Sequence, residues 1–377
     1  MAHAMWRAYL PFNELPPLST VPPDIESRGV LKLCIEAHQA LAELKQAGRA
    51  IPNQAVLTNT LPLLEAQASS EIENIVTTRD ELFRQAPLRG LENANAAVRE
   101  TVRYRTALKA GFDRLADVPL ATNTAIEVCS TIKDTQMEVR AGEGTFIANH
   151  RTGQILYTPP VGESRIRDML HDLFAFMHTH EAFDPLVRMA LGHYQFEAIH
   201  PFHDGNGRTG RILNVLYLID RDLMDVPTLF LSGYVNAHRA DYYRLLNAVM
   251  VDGAYEEWVA FMIEGVRDSA RSSCRRLQAI IAQHEETRRY VQSTEPRVYS
   301  RELIDVLFAQ PYCRIANVVV RGIAQRQTAA LYLHTLVERG VLSQVKIGRD
   351  VLFVNDAFLR ILLDDAVLEG DPITRYS

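Results

Sequence analysis

One twelve-residue string constrains this chain more than any other feature: His200-Pro-Phe-His-Asp-Gly-Asn-Gly-Arg-Thr-Gly-Arg211. It lies between two helical patterns. Upstream, Leu186, Met189, Ala190, His193 and Phe196 recur at helical spacing, and downstream so do Ile212, Leu213, Leu216, Tyr217 and Ile219. A glycine-rich string so placed is a loop that opens a helix. Gly205 and Gly207 allow backbone shapes that other residues resist and leave amide N–H groups uncovered. Uncovered amides at the positive end of a helix dipole bind anions. Arg208 and Arg211, three residues apart, put two fixed positive charges on one side of that helix. Asp204 is an oxygen ligand of the kind that holds Mg²⁺ carried by phosphates. His200 is a group that takes a proton from a hydroxyl near neutral pH. These are the parts that phosphoryl or nucleotidyl transfer needs. The string is not a Walker loop, because the Gly-Lys-Ser/Thr ending is missing, and no His-Glu-x-x-His zinc-protease helix occurs. His178 and His180 do not share a helical face and read as surface or core residues.

The rest of the chain sets the frame. With 377 residues it is too long for one ordinary domain, so two or three units are expected. A hydrophobic share of 47% against 23% charged excludes wholesale disorder, and a net charge of −6 excludes a chain that is basic throughout. No apolar run reaches the ~18 residues of a membrane span. The start, Met1 to Arg7, lacks a basic region followed by an apolar core, so no secretory signal is expected. Cys34, Cys129, Cys274 and Cys313 are far apart, which predicts reduced thiols in a cytoplasmic protein with neither disulfide nor zinc. Five prolines among the first 23 residues predict an extended segment lying against the body. Helix formers dominate from Asp24 to Ala110, with Leu64, Ala68, Ile72, Ile75 and Val76 forming one apolar stripe. Helices resume near Asn123. Between Gly144 and Pro160, two β-rich runs (145–147 and 155–158) flank a turn and predict a lone, exposed hairpin. Helices then run to Arg289, and a boundary follows near Ser293–Pro296.

The string at 200–211 resembles the signature of the Fic family, His-x-Phe-x-Asp/Glu-Gly-Asn-Gly-Arg-x-x-Arg, at every specified position. The resemblance covers roughly residues 20 to 265. It implies a mostly helical protein that moves AMP from ATP to a Ser, Thr or Tyr hydroxyl of a target protein. His200 would be the general base and Asp204 the Mg²⁺ ligand. Gly205, Asn206 and Gly207 would hold the phosphates, and Arg208 and Arg211 would contact the phosphate tail. Thr209 and Gly210 belong to the same ATP-binding string. The hairpin, with Leu156, Tyr157 and Thr158, sits where the family has a flap that clamps an extended target segment by strand addition. Asp241-Tyr-Tyr-Arg-Leu resembles the segment that packs on adenine, with Tyr243 the chosen contact and Tyr242 beside it. Plain core packing is the other reading of the two tyrosines. The family often has an Asn seven residues beyond the second Tyr. Met250 stands there and Asn247 is nearby, so that contact stays open.

Taken alone, Glu73 in Ser69-Ser-Glu-Ile-Glu-Asn74 is a solvated charge on an amphipathic helix. Beside a Fic signature, Ser69, Glu73 and Asn74 resemble the inhibitory motif Ser/Thr-x-x-x-Glu-Gly/Asn. By that resemblance Glu73 pairs with Arg211 where the γ-phosphate of ATP should rest. A carboxylate there competes for the same bidentate partner and leaves the α-phosphate misplaced for in-line attack.

Residues 297–358 predict a helix at 301–310, a short one at 314–320, and a third at 325–339. The third turns Ala330, Leu333, Leu336 and Val337 inward and stops at Gly340. Two β-rich runs, 341–346 and 351–354, follow around 348–350. The set resembles a winged helix. Arg314, Arg321, Arg326, Arg339, Lys346 and Arg349 face a single acid, Glu338, a basic excess that fits nucleic-acid backbone contact. Protein contact or dimer packing is the favoured reading, since the third helix opens with only Arg326 among uncharged polar residues. The whole chain therefore reads as mainly α, in three parts: 1–115 with the inhibitory helix, 116–292 as Fic core, and 293–377 as winged-helix-like module. Its expected activity is protein adenylylation from Mg-ATP. The alternatives are a DNA-binding regulator with a nucleotide-sensing core, or a Fic enzyme that removes AMP or transfers another phosphate-containing group.

Overall fold

The computed structural model describes residues 7–51, 53–54, 56–85, 94–148, 153–347 and 350–363. The proline-rich start lies along the body as expected. Phe12 N donates to Thr158 O (3.0 Å), and Gln195 Nε2 donates to Pro16 O (3.0 Å). Two single 3₁₀ turns, Leu18–Thr20 and Pro23–Ile25, interrupt it.

Helix α1 (Arg28–Ala50) starts where the Ser27 hydroxyl accepts from Val30 N (3.3 Å). Val30, Cys34, Ala37, Leu41 and Leu44 form its buried stripe. A π-turn at Val56–Thr60 leads into α2 (Leu61–Ile72), with Pro62 in the first turn. There follow α3 (Arg79–Gln85), α4 (Ala96–Arg114) capped by Asn95, and α5 (Thr122–Lys133). A two-strand hairpin, β1 (Ile147–Ala148) and β2 (Ile155–Tyr157), precedes α6 (Glu163–Thr179), α7 (Pro185–Ile199) and α8 (Asn206–Asp220). Next come α9 (Leu231–Ala237), α10 (Arg239–Asp252) and the 40-residue α11 (Tyr255–Thr294), along which α1 packs. Helix α7 is the centre of the core. Every residue from Leu186 to Ile199 is buried, so its sequence carries little one-sided pattern.

Two expectations about α2 are corrected. The apolar stripe was read through Ile75 and Val76, but the helix ends at Ile72. Asn74 adopts a left-handed conformation (φ 62°) that stops it, and Val76 is 70% exposed. Nor is α2 amphipathic, because Leu61 to Ser70 are buried on every side. Its one buried acid, Glu65, accepts from Ser232 N (2.9 Å), the Ser232 hydroxyl and the Tyr104 hydroxyl (3.1 Å). Those bonds tie α2 to α9 and α4.

The C-terminal part holds α12 (Arg301–Leu307), β3 (Tyr312–Cys313), α13 (Ile315–Val320), α14 (Arg326–Glu338), β4 (Ser343–Ile347), β5 (Asp350–Val354) and α15 (Asp356–Leu363). Its antiparallel sheet has the order β3-β5-β4. The three helices and the hairpin match the expected arrangement, while β3 and α15 were not anticipated. The inward face of α14 is Ala329, Leu333 and Leu336, spaced i, i+4, i+7 along one stripe; Ala330 and Val337 flank that stripe and are only half-buried. Arg339 pairs with Glu295 (2.6 Å), whereas Arg321, Arg326 and Lys346 are exposed. Arg349 and the turn of the first hairpin at 149–152 lie outside the described residues. This part docks on the N-terminal helices. Arg79 Nη1 donates to Leu363 O (2.8 Å), the Tyr312 hydroxyl to Asp80, and Thr60 Oγ1 to Ala309 O (3.0 Å). All four cysteines are free and buried. Among the described residues no helix is long and apolar enough to cross a membrane.

Candidate active site

Helix α7 ends on His200, which takes a left-handed conformation (φ 50°). The turn is held from outside the motif. Arg140 Nε donates to His200 O (2.7 Å), its Nη2 to Ile199 O (3.0 Å), and its backbone N to Pro201 O (3.0 Å). Inside the loop, Asn206 Oδ1 accepts from Phe202 N (2.9 Å) and its Nδ2 donates to Phe202 O (2.7 Å). The Asn206 amide is thus spent on the loop itself. Gly205 is left-handed (φ 85°), a shape that glycine adopts without penalty. Thr209 N bonds to Gly205 O (3.0 Å) as the first rung of α8, so the amides of Gly207 and Arg208 have no helical acceptor.

Arg211 is 2% exposed and is claimed entirely by α2. Its Nε donates to Ser69 Oγ (2.8 Å), and its Nη2 donates to Ser69 O (3.0 Å) and Glu73 Oε1 (2.8 Å). Glu73 caps the end of α2 with its side chain 35% exposed. Gly207 is what admits it, since a Cβ there would lie 2.5 Å from Glu73 Oε1. Burial acts to raise the Glu73 carboxyl, but Arg211 first and then Arg208 and His200 outweigh it and hold the group below its ordinary range. The same pair keeps Arg211 firmly charged despite its burial. Asn74 Oδ1 accepts from Arg239 (3.2 Å), which also bonds Ile72 O.

The other motif residues divide. Arg208 is buried and bonds Glu100 of α4 (2.6 Å). Asp204 pairs with Lys133; burial alone would raise its carboxyl, but that ammonium holds it low. Thr209 and Gly210 face the protein, where a Cβ on Gly210 would meet Glu197 Oε1 at 2.8 Å. The His200 imidazole is pushed down to about 4, by burial first and Arg140 second, so it is neutral at physiological pH. Asp204 offers one partly exposed carboxylate, and no cluster of three or more His, Cys, Asp or Glu suited to a metal occurs among the described residues. That donor set fits a Mg²⁺ brought in by a triphosphate and not a protein cage.

Beside the loop lies a groove of about 370 Å³. Ile147, Ala148 and Leu156 of the hairpin, Glu197 and Ala198 of α7, and Arg239, Tyr243, Leu246, Asn247 and Met250 of α10 line it. The two tyrosines part company. Tyr243 is 41% exposed in the groove, whereas Tyr242 is buried with its hydroxyl 2.9 Å from His193 Nε2. The hairpin is less exposed than expected. Leu156 faces outward, but Tyr157 is buried with its hydroxyl donating to Ala198 O (2.8 Å), and Thr158 Oγ1 donates to Ala8 O (2.6 Å). The N-terminal segment and α7 supply the partners that a missing sheet would have supplied. Sequence reasoning missed Lys133, Glu100, Arg140, Glu197 and Arg239. Most lie far from the motif in sequence, and no local spacing marks any of them.

This helical body with a small antiparallel flap is a Fic fold. A Fic family protein from Desulfovibrio desulfuricans G20 superposes with a TM-score of 0.55 at 18% identity, covering 87% of this chain and 96% of its own. Residues 31–113 match the Fic/DOC family N-terminal description, residues 123–218 the Fic/DOC family, and residues 283–358 the description "Protein adenylyltransferase SoFic-like, C-terminal domain". The chain carries a Fic/DOC domain preceded by that family's N-terminal region. Protein adenylyltransferase fic-1 of Caenorhabditis briggsae is 39% identical over 90 residues, 23% of this chain and 17% of that protein. A probable protein adenylyltransferase of Aquifex aeolicus (strain VF5) is 31% identical over 74 residues, 20% of this chain and 23% of that protein. The matched stretch is thus under a quarter of either relative's length.

Proposed function

We propose that this protein is a protein adenylyltransferase, moving AMP from Mg-ATP to a Ser, Thr or Tyr hydroxyl of a target protein, and that Glu73 restrains it. The observation that carries this reading is the Glu73–Arg211 pair set over Gly207 at the start of α8. A triphosphate bound on the free α8 amides would place its terminal phosphate against the one guanidinium that Glu73 already holds. Mg²⁺, held by Asp204 and the phosphates, would offset their charge. The neutral His200 imidazole takes the proton as the target hydroxyl oxygen bonds to the α-phosphorus; the bond to the bridging oxygen breaks, and pyrophosphate leaves. Tyr243 and the apolar groove walls would cover adenine, and the outer edge at Leu156 would take the target segment by strand addition. A core that only senses nucleotide would leave His200 without work.

Intact-mass measurement tests the reading. Glu73→Gly protein incubated with Mg-ATP should gain the mass of an adenylyl group. Adding His200→Ala should abolish that gain while calorimetry still detects ATP binding. Persistent adenylylation without His200 would overturn the mechanism.

A further inference from the structure

We propose that Arg140, in the segment between α5 and the hairpin, is a positioning residue that clamps the left-handed turn at His200 and acts on its imidazole through space. The inference rests on the reading of His200 as the base.

A non-glycine residue at φ 50° is strained and persists only where its surroundings over-determine it. The end of α7 also leaves carbonyls without helical donors. Arg140 answers both needs. Its fork reaches the carbonyls of Ile199 and His200, and its own backbone N reaches that of Pro201, so three consecutive residues are fastened by one. A planar guanidinium spans two adjacent carbonyls, whereas an ammonium on a flexible stem is a single point.

The charge matters as well as the fork. Arg140 is 2% exposed and forms no ion pair with any carboxylate among the described residues, and its Nη1 is buried without a hydrogen-bond partner. A guanidinium does not shed its proton to relieve this. Its field therefore reaches the titratable groups beside it, the Tyr157 hydroxyl and the His200 imidazole. The groups acting on that imidazole are Arg140, which disfavours a second positive charge, and Glu73 at the end of α2 and Asp204 in the loop, which favour it; a backbone hydrogen bond involving Glu197 also favours it. Burial and Arg140 together prevail. Arg140 would thus keep the base unprotonated beside two carboxylates that pull the other way.

Two substitutions separate the fork from the charge. NMR titration of the His200 ring in the free protein reads the charge. Arg140→Gln should raise its pKa toward the ordinary 6.5, and Arg140→Lys should leave it low. The fork is read by adenylylation in the Glu73→Gly background. There Arg140→Lys should lower kcat about tenfold or more with the KM for ATP unchanged, because a turn displaced by ~1 Å misaligns the base. Thermal melting selects folded variants, and if Arg140→Gln does not fold, the Arg140→Lys kinetics decide. An unmoved His200 pKa in folded Arg140→Gln, or undiminished kcat in Arg140→Lys, overturns the inference. The titration needs no catalysis, so failure of the adenylyltransferase reading would not be mistaken for failure of this one.

Discussion

Replacing Glu73 by Gly should release the site, and the structure gives the size of the effect. Glu73 makes one charge-assisted bond to Arg211 at 2.8 Å, a class of interaction that contributes about 1.5–3 kcal/mol. Its side chain is 35% exposed, so solvent screening places it in the lower half of that range. Removing about 1.5–2 kcal/mol of restraint raises adenylyl transfer on the order of ten- to thirtyfold. The fold should tolerate the change. Glu73 is the C-cap of α2 and not an interior residue, and it precedes a left-handed Asn74, so the penalty of roughly 1 kcal/mol for Gly inside a helix does not apply. Ser69 still holds Arg211 through Nε and Nη2, which keeps the guanidinium aimed at the α8 N-terminus. The assay is the initial rate of adenylyl incorporation, by intact mass, for wild type, Glu73→Gly and Glu73→Gly/Arg211→Ala. The second variant should gain and the third should lose the gain. A folded, ATP-binding Glu73→Gly protein no faster than wild type would refute the argument.

Three further outcomes are expected. Leu156 has no register partner in β1, so Leu156→Pro should impair target modification far more than Leu156→Ala; equal rates for the two would count against strand addition. Glu65→Ala strands three buried donors from Ser232 and Tyr104 and should cost roughly 3 kcal/mol or more, read as a lower urea midpoint; a loss under 1 kcal/mol would contradict the network. Because the Glu73 carboxyl is held low in the folded protein, its stabilising effect is complete above the ordinary 4.5 and is lost as pH falls through the lower folded value. The stability gap between wild type and Glu73→Gln should therefore shrink between pH 7 and pH 3, and a gap that does not vary with pH would refute the pairing.

What the sequence made legible was what local spacing encodes. The glycines at 205 and 207, the arginines at 208 and 211 and the flanking helices fall within one stretch, and so does Ser69 to Asn74. That the two stretches meet was supplied by the family resemblance, since no spacing joins residues about 140 apart. The burial of α2 was not legible: a helix buried all round has no stripe to read, and the one inferred ran past the Asn74 stop. Tyr157 and Tyr242 were hidden for a related reason. Each sits beside an exposed neighbour, Leu156 or Tyr243, and only the tertiary partners Ala198 and His193 decide which faces inward. The supports Lys133, Glu100 and Arg140 carry no motif because each meets the loop only through the fold.

How Glu73 lets go follows from comparing two energies. If α2 had to leave as a unit, Leu61, Leu63, Leu64 and Ile72 would all be exposed, at about 1.5–3 kcal/mol each, or roughly 6–12 kcal/mol together. The buried Glu65 network would be broken besides. Rotating the Glu73 side chain away costs only the ~1.5–2 kcal/mol of its own bond. Activation by ligand or target should therefore move a side chain and its cap, not a helix. Arg239 stands at the junction: it lines the groove beside Tyr243 and also bonds Ile72 O and Asn74 Oδ1, so an occupant of the groove meets the end of α2 directly. Hydrogen exchange distinguishes the two routes. The amides of Leu64 to Ser70 should stay protected in Glu73→Gly and in wild type with ATP, with faster exchange confined to Glu73 to Thr77. Loss of protection along the whole of α2 would show that the helix undocks, and would make the restraint several times larger than a single carboxylate provides.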